Sequence, residues 1–302
     1  VSDLDDLRTT VRGFLSTQAP PRAQLHDDPS VWKRLTGELG LMSLPSEGAP
    51  FSWVATVLEE TGRVLLRAPY LSSVVAASLL DGEVAAGLAD GSVTAALALD
   101  GYEQVVDAAG ATVLLAAVGD DLVLVEDFTA EPLATMDPTR PQARVTGLMR
   151  GTTVGSAAHA RDLLHVALAA ESAGAAQRVV ELVVEHLLVR EQFGRPLGSF
   201  QALRHRVADM TVAVEAATSS AWYAARAASA ETDDLPVAAP LAKAVAADAF
   251  VQVAGDAIQL FGGIGFTWEH DAHLYFKRAW TTALMHGDSR SLRRLAFERS
   301  GQ

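Results

Sequence analysis

Cysteine is absent from all 302 residues. That excludes disulfides, thiolate metal sites and a cysteine nucleophile, and leaves the fold to rest on its core. Basic residues are scarce against acidic ones, 24 Lys and Arg to 37 Asp and Glu, for a net charge of -13. A protein that grips nucleic-acid phosphates normally carries a basic stripe, so this balance argues against nucleic acid as a partner. Apolar runs long enough for a bilayer, about eighteen residues, are interrupted by Glu, Asp or Arg, and no membrane span is expected. The opening Val1-Ser2-Asp3-Leu4-Asp5-Asp6 is acidic and lacks the basic-then-apolar order of a signal peptide. The expectation is a soluble, cytoplasmic protein. His165, His186, His205 and His273 fall inside helical runs without metal-ligand spacing to carboxylates, so no metal site is expected.

What is present is apolar and alanine-rich. Hydrophobic residues make up 49% of the chain, which fits a packed globular protein leaning towards helix. Residues 1–91 read as helices. Leu4, Leu7, Val11, Phe14 and Leu15 share one helix face, and Pro20-Pro21 ends it. Further helices are predicted over 31–41, 51–66 and 69–80. Between 92 and 150 the texture changes to short apolar runs (93–99, 105–106, 112–116, 122–125) split by Asp-Gly and Gly-Asp pairs, which is strand and turn. Pro138 and Pro141 with Gly147, Gly151 and Gly155 suggest a connector. From 151 to 302 long helices return, over 156–189, from 200 onward, 240–260 and 289–299. Phe200, Leu203, Val207, Met210, Val214 and Ala217 form the seam of a four-helix bundle. The fold class is mainly α: helical domain, small β domain, helical bundle.

Two motifs follow bundle helices. One is Arg190-Glu191-Gln192-Phe193-Gly194-Arg195-Pro196-Leu197-Gly198-Ser199-Phe200-Gln201, the other Gln259-Leu260-Phe261-Gly262-Gly263-Ile264-Gly265-Phe266. Glycine after a helix turns the chain with bare backbone, and such corners can face an anion with N–H groups. Arg190 alone would be an ordinary cation at a helix C-terminus. With both motifs in this order and spacing, the stretch from about Gly155 to Glu298 resembles the acyl-CoA dehydrogenase family. The resemblance implies that these segments hold the ADP half of FAD across a subunit interface. Arg190 and Gln192 would reach the pyrophosphate, with Phe193 beside them, and Phe200 and Gln201 the adenine side. Gln259, Leu260 and the backbone of Phe261, Gly262 and Gly263 would cradle the AMP part.

The same resemblance exposes two losses. The family's catalytic glutamate, which takes the α-proton of an acyl-CoA, lies in one of two places; here they fall on Gly287 and Leu164. Neither side chain can abstract a proton. Asp288 and His286 flank the first position, but a one-residue slip turns a side chain away from where it must act. Asp288 reads more simply as the N-cap of the helix 289–299. The family segment that holds the flavin ring and thioester falls on Ala95 to Gly101, without its Ser, Thr and acid pattern. No catalytic residue is therefore expected, and the chain keeps the half-site facing a neighbour's flavin.

That pattern is similar to the small, base-less subunit of the heteromeric α2β2 acyl-CoA dehydrogenases that act on steroid side-chain thioesters in actinobacteria. The implied partners are a full-length dehydrogenase paralogue, which would hold most of the acyl-CoA, and an electron-transfer flavoprotein. Two alternatives stand beside it: a structural pseudo-enzyme that binds a partner and no FAD, and an independent flavoprotein using Asp288.

Overall fold

Acidic side chains start the first helix and proline stops it. In α1 (Asp3–Gln18), Asp3, Asp5 and Asp6 sit in the first turn, where the helix dipole favours them, and Val11 and Leu15 are buried. Asp28 caps α2 (Pro29–Gly37) by accepting from the Ser30 N–H at 2.9 Å, with Pro29 opening the helix. The helix predicted to reach residue 66 ends earlier. α3 (Phe51–Arg63) stops because Leu65 takes a left-handed φ of 53°. α4 (Tyr70–Ala77) follows, and then α5 (Gly82–Asp90), which hydrophobic spacing did not reveal because only Leu88 in it is buried. The computed structural model describes residues 3–25, 28–147 and 151–301.

The β region forms two sheets. The first has the order β1 (Ala95–Ala98), β3 (Val113–Val118), β4 (Asp121–Val125), β7 (Thr152–Ser156), with β1 parallel to β3 and the other pairs antiparallel. The second joins β2 (Val105–Val106), β6 (Gln142–Thr146) and β5 (Thr129–Leu133), all antiparallel. β1 is buried along its whole length, which is why it reads as an unbroken apolar run. The connector expected between Pro138 and Gly155 instead holds β6 and β7. Their half-exposed, polar sequences QARVT and TTVGS hid them. β7 also carries the sheet past residue 150, straight into the next helix.

That helix is α6 (Ala157–Val189), capped by Ser156, and it runs 33 residues without a break. A short hairpin, β8 (Glu191–Gln192) and β9 (Arg195–Pro196), leads to α7 (Gln201–Ala230). α8 (Leu235–Phe261) begins earlier than its proline suggested, with Pro236 in the first turn and Pro240 inside the helix. α9 (Ala272–Leu284) was not predicted, and α10 (Ser289–Ser300) was. α8 is long and apolar enough to cross a membrane by length and composition, but 67% of its most apolar window is buried against the protein. It reads as the core helix of the bundle.

Two features lock α6 to the N-terminal helices. A β-carbon at Gly62 of α3 would meet the backbone of Glu171, and one at Gly174 of α6 would meet the backbone of Glu59. The two helices therefore cross at a reciprocal pair of glycines, with backbones in contact. Beside the crossing lies a buried charge cluster. Arg278 of α9 reaches Asp137 at 3.1 Å, Glu171 at 3.1 Å and the Thr139 carbonyl at 2.6 Å, and Arg140 also pairs with Glu171. Ion pairing is what makes such charges tolerable inside a protein, although Arg140 Nε is buried without a hydrogen-bond partner. The cluster ties α6 and α9 to the loop that joins β5 to β6.

Candidate functional site

The two sequence motifs lie at one end of the bundle, where α6 and α8 both finish. His186, one turn before the end of α6, packs its ring edge-on against Phe261 at the end of α8, with centroids 5.0 Å apart. His270 covers the other side of Phe261 at 4.1 Å. Burial, with the positive charges of His270 and Arg190, lowers the pKa of His186.

Arg190 leaves the helix with extended backbone, its N–H donating to the His186 carbonyl at 2.9 Å. Phe193 and Gly194 then both take positive φ, 54° and 75°. Two left-handed residues in succession make the tight turn that matches strand twist, and they close the β8–β9 hairpin. Leu197 N–H donates back to the Arg190 carbonyl at 2.8 Å. Phe193 is 90% exposed, and its ring meets Phe200 edge-on at 6.1 Å. The Arg195 guanidinium stacks over Phe200 at 4.1 Å. Arg190, Gln192, Gln201 and Gln259 are exposed, and the Arg190 side chain has no ion pair among the described residues.

The second corner is backbone. Gly262 ends α8 at φ 67° and ψ -145°, a conformation open only to glycine, and Gly263 beside it has open space where a side chain would go. Leu260 and Phe261 are buried, so only their main chain could serve a ligand. The first turn of α7 has no side-chain cap, and among the described residues its free N–H groups are those that precede Leu203, whose own N–H donates to the Phe200 carbonyl at 3.1 Å. Free N–H donors, an unpaired arginine and bare glycine backbone fit the phosphates of a dinucleotide such as FAD.

The cleft beside the family's base positions is built differently. It measures about 320 Å³ and is lined by Asp100 after β1, Arg161 and His165 of α6, His286 and Gly287 before α10, and Arg294 of α10. Asp100 accepts from Arg161 Nε at 2.9 Å and pairs with His286 Nδ1 at 2.7 Å. Burial alone would raise its pKa, but the bonds and charges of His286 and Arg161 win and hold it at about 2. His165 donates through Nε2 to the His286 carbonyl at 3.0 Å, and burial lowers its pKa to about 4, so it is neutral at pH 7. Lys243 donates to the carbonyls of Gly287 at 2.5 Å and Ala283 at 3.2 Å. Burial lowers its pKa to about 8, against the pull of Asp288, Asp248 and Asp100.

Asp288 points elsewhere: its carboxylate accepts from the Ser291 N–H at 2.8 Å and caps α10. Leu164 is buried in the core. Ala95 to Ala98 form a buried strand, and Asp100 is held by Arg161 and His286, so this stretch offers a flavin ring no hydroxyl and no unpaired acid. The Asp100–His286–Arg161 contact was missed by sequence reasoning, because its members lie far apart in the chain and match no motif.

Residues 156–301 match the family model for the acyl-CoA dehydrogenase C-terminal domain. The acyl-CoA dehydrogenase IpdE2 of Mycobacterium tuberculosis is 39% identical over 97% of this chain and 96% of its own length. Among solved structures, a variant of the Tcur3481-Tcur3483 steroid ACAD superposes with a TM-score of 0.89 at 25% identity, covering 99% of this chain and 98% of that one. The ChsE4-ChsE5 complex from Mycobacterium tuberculosis gives 0.88 at 22% identity, covering 100% and 98%. The bundle match, the relative aligned along nearly the whole chain and the two glycine corners agree: this chain belongs to the acyl-CoA dehydrogenase family.

Proposed function

We propose that this chain is one subunit of a heteromeric, FAD-dependent acyl-CoA dehydrogenase. It would lend Arg190, Gln192, Phe193, Phe200, Gln201, Gln259 and the main chain of Leu260 to Gly263 to the ADP half of a flavin whose ring lies in a full-length partner. FAD would supply the hydride acceptor. The partner would supply the base, since Gly287 and Leu164 carry none, Asp288 is spent as a cap, and His165 is too weakly basic.

One observation carries this. Arg161, at the cleft, and Arg190, at the phosphate corner, stand at opposite ends of a single helix, roughly 43 Å apart at about 1.5 Å per residue. No dinucleotide spans that length. That separation supports a corner that serves a flavin in another chain rather than one in this chain's own cleft. The solved relative named as a two-protein steroid ACAD supports a heteromeric assembly acting on a steroid thioester. An α2β2 stoichiometry, a side-chain substrate and an electron-transfer flavoprotein as acceptor would follow from the family resemblance. A scaffold that binds no flavin would have no use for the unpaired Arg190 and open Gly262-Gly263 backbone.

Expression alone and with a full-length paralogue tests this. Alone, the chain is expected to be colourless and inactive on acyl-CoA. Together they should give a yellow complex with about one FAD per heterodimer. Stoichiometric flavin in the chain made alone would overturn the shared site.

A further inference from the structure

We propose that Asp100, Arg161 and His286 form a lock that closes this chain's own cleft to an acyl thioester, so that each heterodimer has one substrate site. This rests on the subunit reading above, and it identifies which residues enforce it.

The lock joins three parts of the fold. Asp100 lies in the bend just after β1, Arg161 stands in the second turn of α6, and His286 belongs to the turn between α9 and α10. One carboxylate holds both side chains, through Oδ1 to Arg161 at 2.9 Å and Oδ2 to His286 at 2.7 Å. Arg161 also donates to the Leu99 carbonyl at 2.6 Å. The main chain of the turn is pinned from behind, at His286 by His165 and at Gly287 by Lys243. His286 is held at φ 52°, a conformation that a non-glycine residue keeps only when its surroundings over-determine it. An acyl chain entering here would have to part Asp100 from Arg161 or His286 and break the charge-assisted bond to Arg161.

The turn also excludes the base itself. Gly287 sits at φ 97°, and a β-carbon there would lie 3.1 Å from Leu292 Cδ2 and 3.2 Å from Ser291 Oγ. A side chain at 287 would be strained at this φ and would press on Leu292 and Ser291, and the lock holds the turn in that conformation. Loss of the base and closure of the cleft are thus one structural change.

The absence of cysteine in this chain gives a clean test. Arg161, Leu164 and His165 share a face of α6 at three- and four-residue steps, and Leu164 is 1% exposed. Leu164→Cys in the complex with the full-length partner would be exposed to an N-alkyl maleimide with a long apolar tail, the tail standing in for an acyl chain. Labelling is counted on the mass of this chain. It should be slow with the lock intact and at least about tenfold faster when Asp100→Ala and His286→Ala are added, the scale of one lost charge-assisted bond. Asp100→Asn, which keeps the shape and removes the charge, should give an intermediate rate and covers the case in which the double variant unfolds. Equal rates in all forms, or fast labelling with the lock intact, would overturn the proposal. FAD content of the same samples reports the subunit reading separately, since labelling does not depend on flavin.

Discussion

Arg190 owes its freedom to the way α6 ends. Its backbone is satisfied by His186 and Leu197, so the hairpin holds its place while the guanidinium stays unpaired. Arg190→Ala in the complex should leave assembly intact and lower FAD affinity roughly ten- to hundredfold, the worth of a charge-assisted contact to phosphate. A flavin-release titration checks it; unchanged retention would make Arg190 an ordinary helix-end cation. Asp288 is the opposite case, a charge fully used by local structure. Asn caps helices about as well as Asp, so Asp288→Asn should change stability by less than about 0.5 kcal/mol and turnover by less than about fivefold. Single-turnover flavin bleaching by substrate measures this, and a loss of several hundredfold would place the base in this chain.

Among the elements, the glycine crossing of α3 and α6 is the least forgiving. Gly174→Ala would drive a methyl group into the Glu59 main chain, which cannot swing aside as a side-chain tip can. It should cost at least about 2 kcal/mol by denaturant midpoint, within the range for overpacked cores. Gly155→Ala, with open space at its Cβ position, should cost under about 0.5 kcal/mol in the same assay. Elements were legible where periodicity and burial coincide. α1, the seam of α7 and the apolar run of β1 declared themselves for that reason. α5 and α9 did not: α5 buries one residue, and α9 mixes buried His273 and Arg278 with exposed Trp280 and Leu284. β5 to β7 are half-exposed and polar. Of the candidate site, the glycine corners could be read because they are local in sequence. The Asp100–Arg161–His286 contact could not, because it exists only once sheet, helix and turn are brought together.

At the scale of the whole molecule, buried ionisable groups make stability depend on pH in opposing ways. His165 has a folded pKa of about 4, below the roughly 6.5 of an unfolded histidine. The unfolded chain therefore takes up the proton first. The contribution of His165 is complete above about pH 6.5 and is lost as pH falls towards 4, up to about 3 kcal/mol. Asp100 behaves alike at lower pH, its share being lost between about 4 and 2. Asp107, lifted by burial to about 6, acts in the other direction and gains stability as pH falls from 6 to 4. The expected signature is thus a difference between proteins. Between pH 6.5 and 4 the parent should lose thermal stability relative to His165→Gln, by several degrees in unfolding midpoint. Parallel curves for the two would mean that folding does not shift the His165 pKa.

The unbroken run of α6 has a last consequence, for how this chain can diverge. Gly174 fixes the phase of the helix against α3, and Arg190 lies sixteen positions further along the same rod. Each residue added between them would swing the arginine by about 100° and carry it roughly 1.5 Å outward. Substitutions in that interval can accumulate on the exposed face, but insertions and deletions cannot, since no loop intervenes to absorb them. The interval from 174 to 190 is therefore constrained in length more tightly than in composition, and under the proposed subunit reading it would work as a gauge that sets where one subunit meets its neighbour's cofactor.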